Sequence, residues 1–171
     1  MSSCITMLPA APAGAPDVPH AEAFWATIVP DPCATSRVVD HVSNVEYVRW
    51  LDRLGQMHLE HCGWSGDDLV SAGAMWFVAR HEIDYRLEAQ GGEMLVASTW
   101  VRSVRKVKSW RDVMVWRPGL EGWQLVCTAT TLWVHVDLES RRSTRPPADM
   151  VAALAPLGAE APPWVGKSGR R

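Results

Sequence analysis

Asp40 and His41 stand side by side, two residues ahead of a Ser43-x-x-Glu46 pattern. A carboxylate beside an imidazole orients its tautomer and raises its basicity, so the pair can serve as a general base toward water. Ser43 and Glu46 read as a capping box, in which each side chain bonds the other's free backbone N–H. A well-formed helix therefore starts here, with unsatisfied N–H groups and a positive dipole end beside Asp40 and His41. Asn44 adds an amide that can polarise a carbonyl, and Arg37 adds a loop cation suited to a carboxylate or phosphate. A second group, Arg102, Arg105, Lys106 and Lys108, surrounds a strand turn where it can meet phosphates. Each has a structural alternative: Asp40 favours any helix start, Glu46 needs no role beyond the cap, and a charge run is often a solvated edge.

These residues need elements to hold them. Residues 44–62 carry helical spacing, with Val48, Leu51, Leu54 and His58 as one stripe and Gly63 at the stop. From Gly73 the period becomes two, and Met75, Phe77, Ala79, His81, Ile83, Tyr85 and Leu87 alternate with charged residues. His81 lies on the apolar face of that strand and reads as a satisfied core histidine. Further strands follow at 94–104, 108–117 and 123–138, an earlier one at 21–29, and a short helix at 148–154. The spacing predicts an α+β domain in which one long helix lies against a curved antiparallel sheet. Residues 1–20, rich in Ala and Pro, read as a disordered leader, 21–155 as the folded domain, and 156–171 as a flexible tail.

Composition limits the function. At 171 residues and 47% hydrophobic, the chain can bury one domain core. A formal charge of −2 offers no basic field for nucleic acid. No apolar run approaches the ~20 residues of a membrane span. The four cysteines show no zinc-ligand spacing and read as reduced thiols in a cytoplasmic protein; neither metal nor cofactor is expected. Ten tryptophans against two tyrosines and two phenylalanines hint at a wide apolar pocket or interface.

The stretch Asp40, His41, Val42, Ser43, Asn44, Val45, Glu46, Tyr47, Val48, Arg49, Trp50 resembles the helix-entry motif GHVNNxxYLRW of the 4-hydroxybenzoyl-CoA thioesterase-like hotdog family. Residues 77–86 and 132–147 are similar to the family's strand after the helix and its closing strand. The resemblance implies a hotdog domain that dimerises and hydrolyses an acyl-CoA or acyl-carrier-protein thioester without a cofactor, as dimer or dimer of dimers. It implies Asp40, His41 and Asn44 as candidate catalytic groups and Arg37, Tyr47, Arg102, Arg105 and Lys106 as substrate contacts. The family's acidic residue four positions before the His is Arg37 here, so Asp40 with His41, or Asp31 brought in by a longer loop, would have to supply the base. The alternatives are a binding protein that has lost the chemistry, or a dehydratase or cyclase acting on acyl thioesters, for which Glu46 or Asp52 would be the acid.

Overall fold

The computed structural model describes residues 3–36 and 39–165. Its elements, in chain order, are β1 (Cys4–Leu8), β2 (Phe24–Val29), α1 (Asn44–His61), α2 (Gly66–Ser71), β3 (Ala74–Tyr85), β4 (Leu95–Arg105), β5 (Lys108–Gly119), β6 (Gly122–Asp137) and α3 (Ala148–Ala153). The strands form one antiparallel sheet in the order β1-β2-β4-β5-β6-β3. Register shifts at Val78/Arg80, Val101/Ser103 and Val115/Trp116 add local twist, which lets long strands curl around a helix.

The helix lies in that curl. Its buried side is Tyr47, Trp50, Leu51, Leu54 and His58, packed on Phe24, Ala26, Ile28, Ala97, Val113, Val115 and Ala129 of the sheet. Val48, expected in the stripe, is instead half-exposed, because the true stripe is centred one position back on Tyr47. The expected capping box at Ser43 does not close. Ser43 Oγ accepts from Val45 N at 3.4 Å, while the buried Glu46 carboxylate takes Arg49 and the Ser3 hydroxyl. A reciprocal box forms at α2, where Ser65 and Asp68 cap each other.

Residues expected as a leader are built into the fold. β1 pairs along its whole length with β2, because the β-branched Ile5 and Thr6 suit an edge strand. Ala15 and Val18 pack against Trp25, Val96 and Trp116, and His20 Nε2 meets the Ala155 carbonyl at 2.6 Å. The segment after α3 is also tied down: Leu157 N donates to Val101 O and Gly158 N to Arg102 O. Exposed aromatic surface on the sheet would otherwise remain wet, and these segments cover it.

One polar contact joins α1 to the sheet centre. Arg111 of β5 donates from Nη1 to His58 Nδ1 at 2.6 Å and to Thr99 Oγ1 at 3.3 Å, all three side chains being buried. Burial first and the Arg111 charge second press the His58 pKa down to about 2, so the imidazole is neutral and accepts. Because its folded pKa lies below the unfolded value near 6.5, its contribution to stability is complete above about pH 6.5 and is lost as pH falls. Urea midpoints measured at about pH 7 and about pH 4 should therefore fall on acidification. His58→Gln, which keeps an acceptor for Arg111, should flatten that slope; an equal slope in both proteins would mean that His58 does not carry it.

Candidate active site

The loop before α1 is fixed by backbone bonds before any side chain acts. Val42 N donates to Ala89 O, Ser43 N to Ala34 O and Ser36 N to His41 O, each within 2.9 Å. Beyond β3 the chain keeps beside β6, Arg86 N and Leu87 N both donating to Val126 O. The result brings residues 85–88 against the N-terminus of α1. Between them opens a cleft of 230 Å³ lined by His41, Val42, Asn44, Tyr47, Tyr85, Arg86, Leu87 and Glu88.

His41 is half-buried, and its Nδ1 is buried with no hydrogen-bond partner among the described residues. A buried polar atom left unpaired is costly, and such a cost is commonly offset by a ligand or water. Ser43 Oγ takes the Val45 N–H and Ser43 O takes that of Glu46, so the Asn44 N–H is the helix-start donor left over beside the cleft. Tyr47 is buried against Trp50 and Tyr85, ring centroids 4.5 and 5.0 Å away. Burial holds its phenol well above the usual pKa, against the lowering effect of a backbone hydrogen bond with Ala89, so it stays a neutral hydroxyl.

Of the candidates read from the sequence, His41, Asn44 and Tyr47 are brought together here. Asp40 is exposed and does not line the cleft. The carboxylate that does is Glu88, exposed at the end of the β3 excursion. Nothing in the local sequence marks Glu88, since it reads as an ordinary polar residue before the Gln90-Gly91-Gly92 turn. Only the Val42–Ala89 pairing shows that this turn abuts the helix start. Asp31, the alternative base, is buried, its Oδ1 taking Cys33 N at 2.8 Å. Arg37 lies outside the described residues.

Glu46 is committed to Arg49 and Ser3, and Asp52 accepts from Gln56 at 2.8 Å away from this cleft. His81 is half-buried, outside the core, and bonds Thr131 Oγ1 at 2.9 Å.

The basic group is not one cluster. Arg102 is 5% exposed and its Nη1 donates to Asp112 Oδ1 at 3.0 Å, an oxygen that also accepts from Thr130 Oγ1 at 2.8 Å, while Arg102 Nε and Asp112 Oδ2 have no partner among the described residues. Both faces of β4 are covered from Leu95 to Ser103, so Arg102 is not left to solvent. Burial, the largest influence, pushes the Asp112 carboxyl up to about 6 despite the opposing Arg102 charge. Arg105 and Lys106 remain exposed on the β4–β5 turn, Lys106 at φ 57°. Lys108 pairs with Val134 and Tyr85 with Cys127, so that turn lies roughly 23 Å along β6 from the cleft at 3.3 Å per residue. Within one chain they do not meet.

One long helix wrapped by a curved antiparallel sheet, with a polar cleft at the helix N-terminus, defines a hotdog-fold protein. Residues 35–154 match the family model described as the acyl-ACP thioesterase N-terminal domain, and the chain belongs to that family. No curated protein sequence matches it. Among solved structures it is similar to a Lactobacillus plantarum protein assigned as an oleoyl thioesterase (TM-score 0.72, 14% identity, covering 81% of this chain and 52% of that one). It is also similar to 4-hydroxybenzoyl-CoA thioesterase from Pseudomonas sp. strain CBS-3 (0.70, 21%, 78% and 99%). A third is a 1,4-dihydroxy-2-naphthoyl-CoA thioesterase from Synechocystis (0.70, 17%, 80% and 98%). The chain thus spans about half the length of the first and nearly all of the other two.

The turn after β3 is pressed onto the loop that leads to His41. A Cβ on Gly91 would lie 2.7 Å from Pro32 Cα, and Gly92 N donates to Pro30 O at 2.8 Å. Gly91→Ala should therefore cost about 1–3 kcal/mol in chemical denaturation, because backbone must move. Gly66→Ala, where nothing lies within 4 Å, should stay within about 0.5 kcal/mol.

Proposed function

We propose that this protein hydrolyses an acyl thioester to a free acid and a thiol, using the cleft at the start of α1. The observation that carries the reading is the buried, unpartnered Nδ1 of His41 beside the Asn44 N–H at the start of that helix. Family membership supports the same reaction. The thioester carbonyl oxygen, which gains negative charge when attacked, is held by the Asn44 N–H and the dipole end of α1. Water attacks the carbonyl carbon and gives its proton to the base formed by His41 and Glu88. The C–S bond then breaks, and the departing thiolate recovers a proton from that base. The Asn44 amide and the neutral Tyr47 hydroxyl orient the acyl group.

The substrate is an acyl-CoA or acyl-carrier-protein thioester in the cytoplasm, a setting that suits the free, exposed Cys4 and Cys33. The active form is a homodimer. β3 ends the sheet with its outer edge unpaired in the single chain, and Phe77 and Val78 on it are exposed. Two β3 strands paired antiparallel about a two-fold axis set residue 75 of one protomer near residue 85 of its partner. The β4–β5 turn of one subunit then approaches the cleft of the other, which gives Arg105 and Lys106 a phosphate to bind. Arg37 is a further candidate contact for the substrate's anionic groups.

His41→Ala and Glu88→Gln should each lower kcat about 100-fold to 10,000-fold on acyl-CoA or carrier-protein thioesters, the usual loss for a positioned base. Asp40→Asn should retain most activity. Collapse in Asp40→Asn with full activity in Glu88→Gln would return the base to the loop. Arg105→Ala with Lys106→Ala should raise KM and leave kcat nearly unchanged. Sedimentation at micromolar concentration should show a dimer, and a monomer would remove the shared phosphate site.

A further inference from the structure

A second, larger cavity of 390 Å³ lies on the other half of α1, between the helix flank, α2, β3 and the inner face of β5 and β6. Its walls are largely apolar: Leu59, Leu69, Met75, Trp76, Trp133 and Leu154. Gly55 faces it from the helix, and a Cβ there would approach Trp133 Cζ2 to 3.0 Å and Arg111 Nε to 3.6 Å. Glycine thus keeps both side chains close under the helix. The same flank of α1 also carries Asn44 and Val48, so the cavity and the cleft at the helix start lie along one side of it, roughly 15 Å apart at 1.5 Å per residue.

The floor of this cavity holds an unbalanced cation. Arg111 is 5% exposed, and no carboxylate among the described residues pairs with it. Its Nη1 is shared between the neutral His58 and the Thr99 hydroxyl, and its Nε and Nη2 have no acceptor among the described residues. The Cys62 thiol nearby is held protonated by burial. Burying a guanidinium without an anion is expensive, and an anion brought by a ligand would relieve that cost. The acidic residues on the cavity wall do not fill this role: Asp52 takes the Gln56 amide and Glu60 pairs with Arg53 at 3.5 Å.

We propose that this cavity binds a molecule with a carboxylate on a hydrocarbon body, the carboxylate against the Arg111 guanidinium and the body against Leu59, Leu69, Trp76 and Trp133. At ~30 Å³ per water-sized group, the cavity has room for roughly a dozen heavy atoms or more, the size of a ten-carbon acid. The carboxylate has two sources: a free acid, or the far end of a dicarboxylic acyl chain whose thioester occupies the cleft. The site does not depend on the chain being a hydrolase.

The test is calorimetric titration of the full-length protein with decanoate and with 1-decanol, which share the hydrocarbon and differ in charge. Decanoate should bind about 10-fold to 100-fold more tightly, the value of a hydrogen bond to a charged group. Leu59→Trp, which fills the cavity, should abolish binding of both, and Arg111→Gln should erase the preference. Equal affinity for acid and alcohol in the unmodified protein would overturn the proposal whether or not either variant folds, as would decanoate binding that survives in a folded Leu59→Trp. Comparing decanoyl-CoA with the mono-CoA thioester of decanedioic acid distinguishes the sources. Tighter binding of the second means that the carboxylate arrives as an acyl tail, and tight binding of free decanoate alone means that it arrives as a free acid. Loss of hydrolysis in every assay with decanoate binding intact would remove the thioesterase reading and leave this site standing.

Discussion

The curl of the sheet around α1 is the constraint on which every other feature rests. A flat antiparallel sheet offers a helix a single line of contact, whereas a strongly twisted one surrounds it. Here three register shifts, with the extra residue in β3, β4 and β6, raise the twist, and Trp50, Leu51 and Leu54 are almost wholly enclosed as a result. Burying a side chain of that size contributes on the order of 1.5–3 kcal/mol each. This fixes the helix axis, and with it the position of the N-terminus that the cleft uses. The same curl leaves a flank of the helix uncovered toward β3, and both cavities open along that flank.

The broad plan was legible because it rests on periodicity. The alternation from Met75 onward and the helical spacing after Ser43 are local signals, and both elements occur within two residues of where those signals place them. The order of elements then left few ways to bury one long helix. What could not be read were features set by tertiary contacts. β1 is short and lies among Ala and Pro residues, and its pairing with β2 depends on a strand some twenty residues away. α2 has only one buried residue, Leu69, so it carries no periodic stripe. The Arg102–Asp112 pair is buried because both faces of β4 are covered, which sequence alternation cannot signal.

The site was half legible for a related reason. His41, Asn44 and Tyr47 belong to a contiguous motif, and a helix start positions contiguous residues predictably. Asp40 belongs to the same motif, yet it sits on the solvent side of a loop. Adjacency in sequence gives side chains similar reach but not a common direction, particularly outside regular structure. Glu88 comes from a segment more than forty residues later, held to the helix start by the Val42–Ala89 backbone bond. A group placed by backbone pairing to a strand end keeps its geometry better than one at the apex of a loop. This favours Glu88 as the partner of His41, although Asp40 is its neighbour in the chain.

The two buried arginines show how one side chain type comes to serve opposite ends. Arg102 and Arg111 are both about 5% exposed, on strands that pair with each other. Arg102 has a carboxylate 3.0 Å away, so its charge is balanced within the fold, although its Nε and Asp112 Oδ2 find no partner among the described residues. Arg111 faces the opposite side of the sheet, toward the helix, where its nearest partners are a neutral imidazole and a hydroxyl. Replacing a buried pair such as Arg102–Asp112 with apolar residues is often neutral or stabilising, so its retention argues for specificity of strand register more than for stability. An unpaired buried cation has no such compensation. If Arg111 served only to anchor α1 through His58, a neutral donor would do so without the cost of desolvating a charge. The charge therefore makes most sense in relation to the cavity it borders.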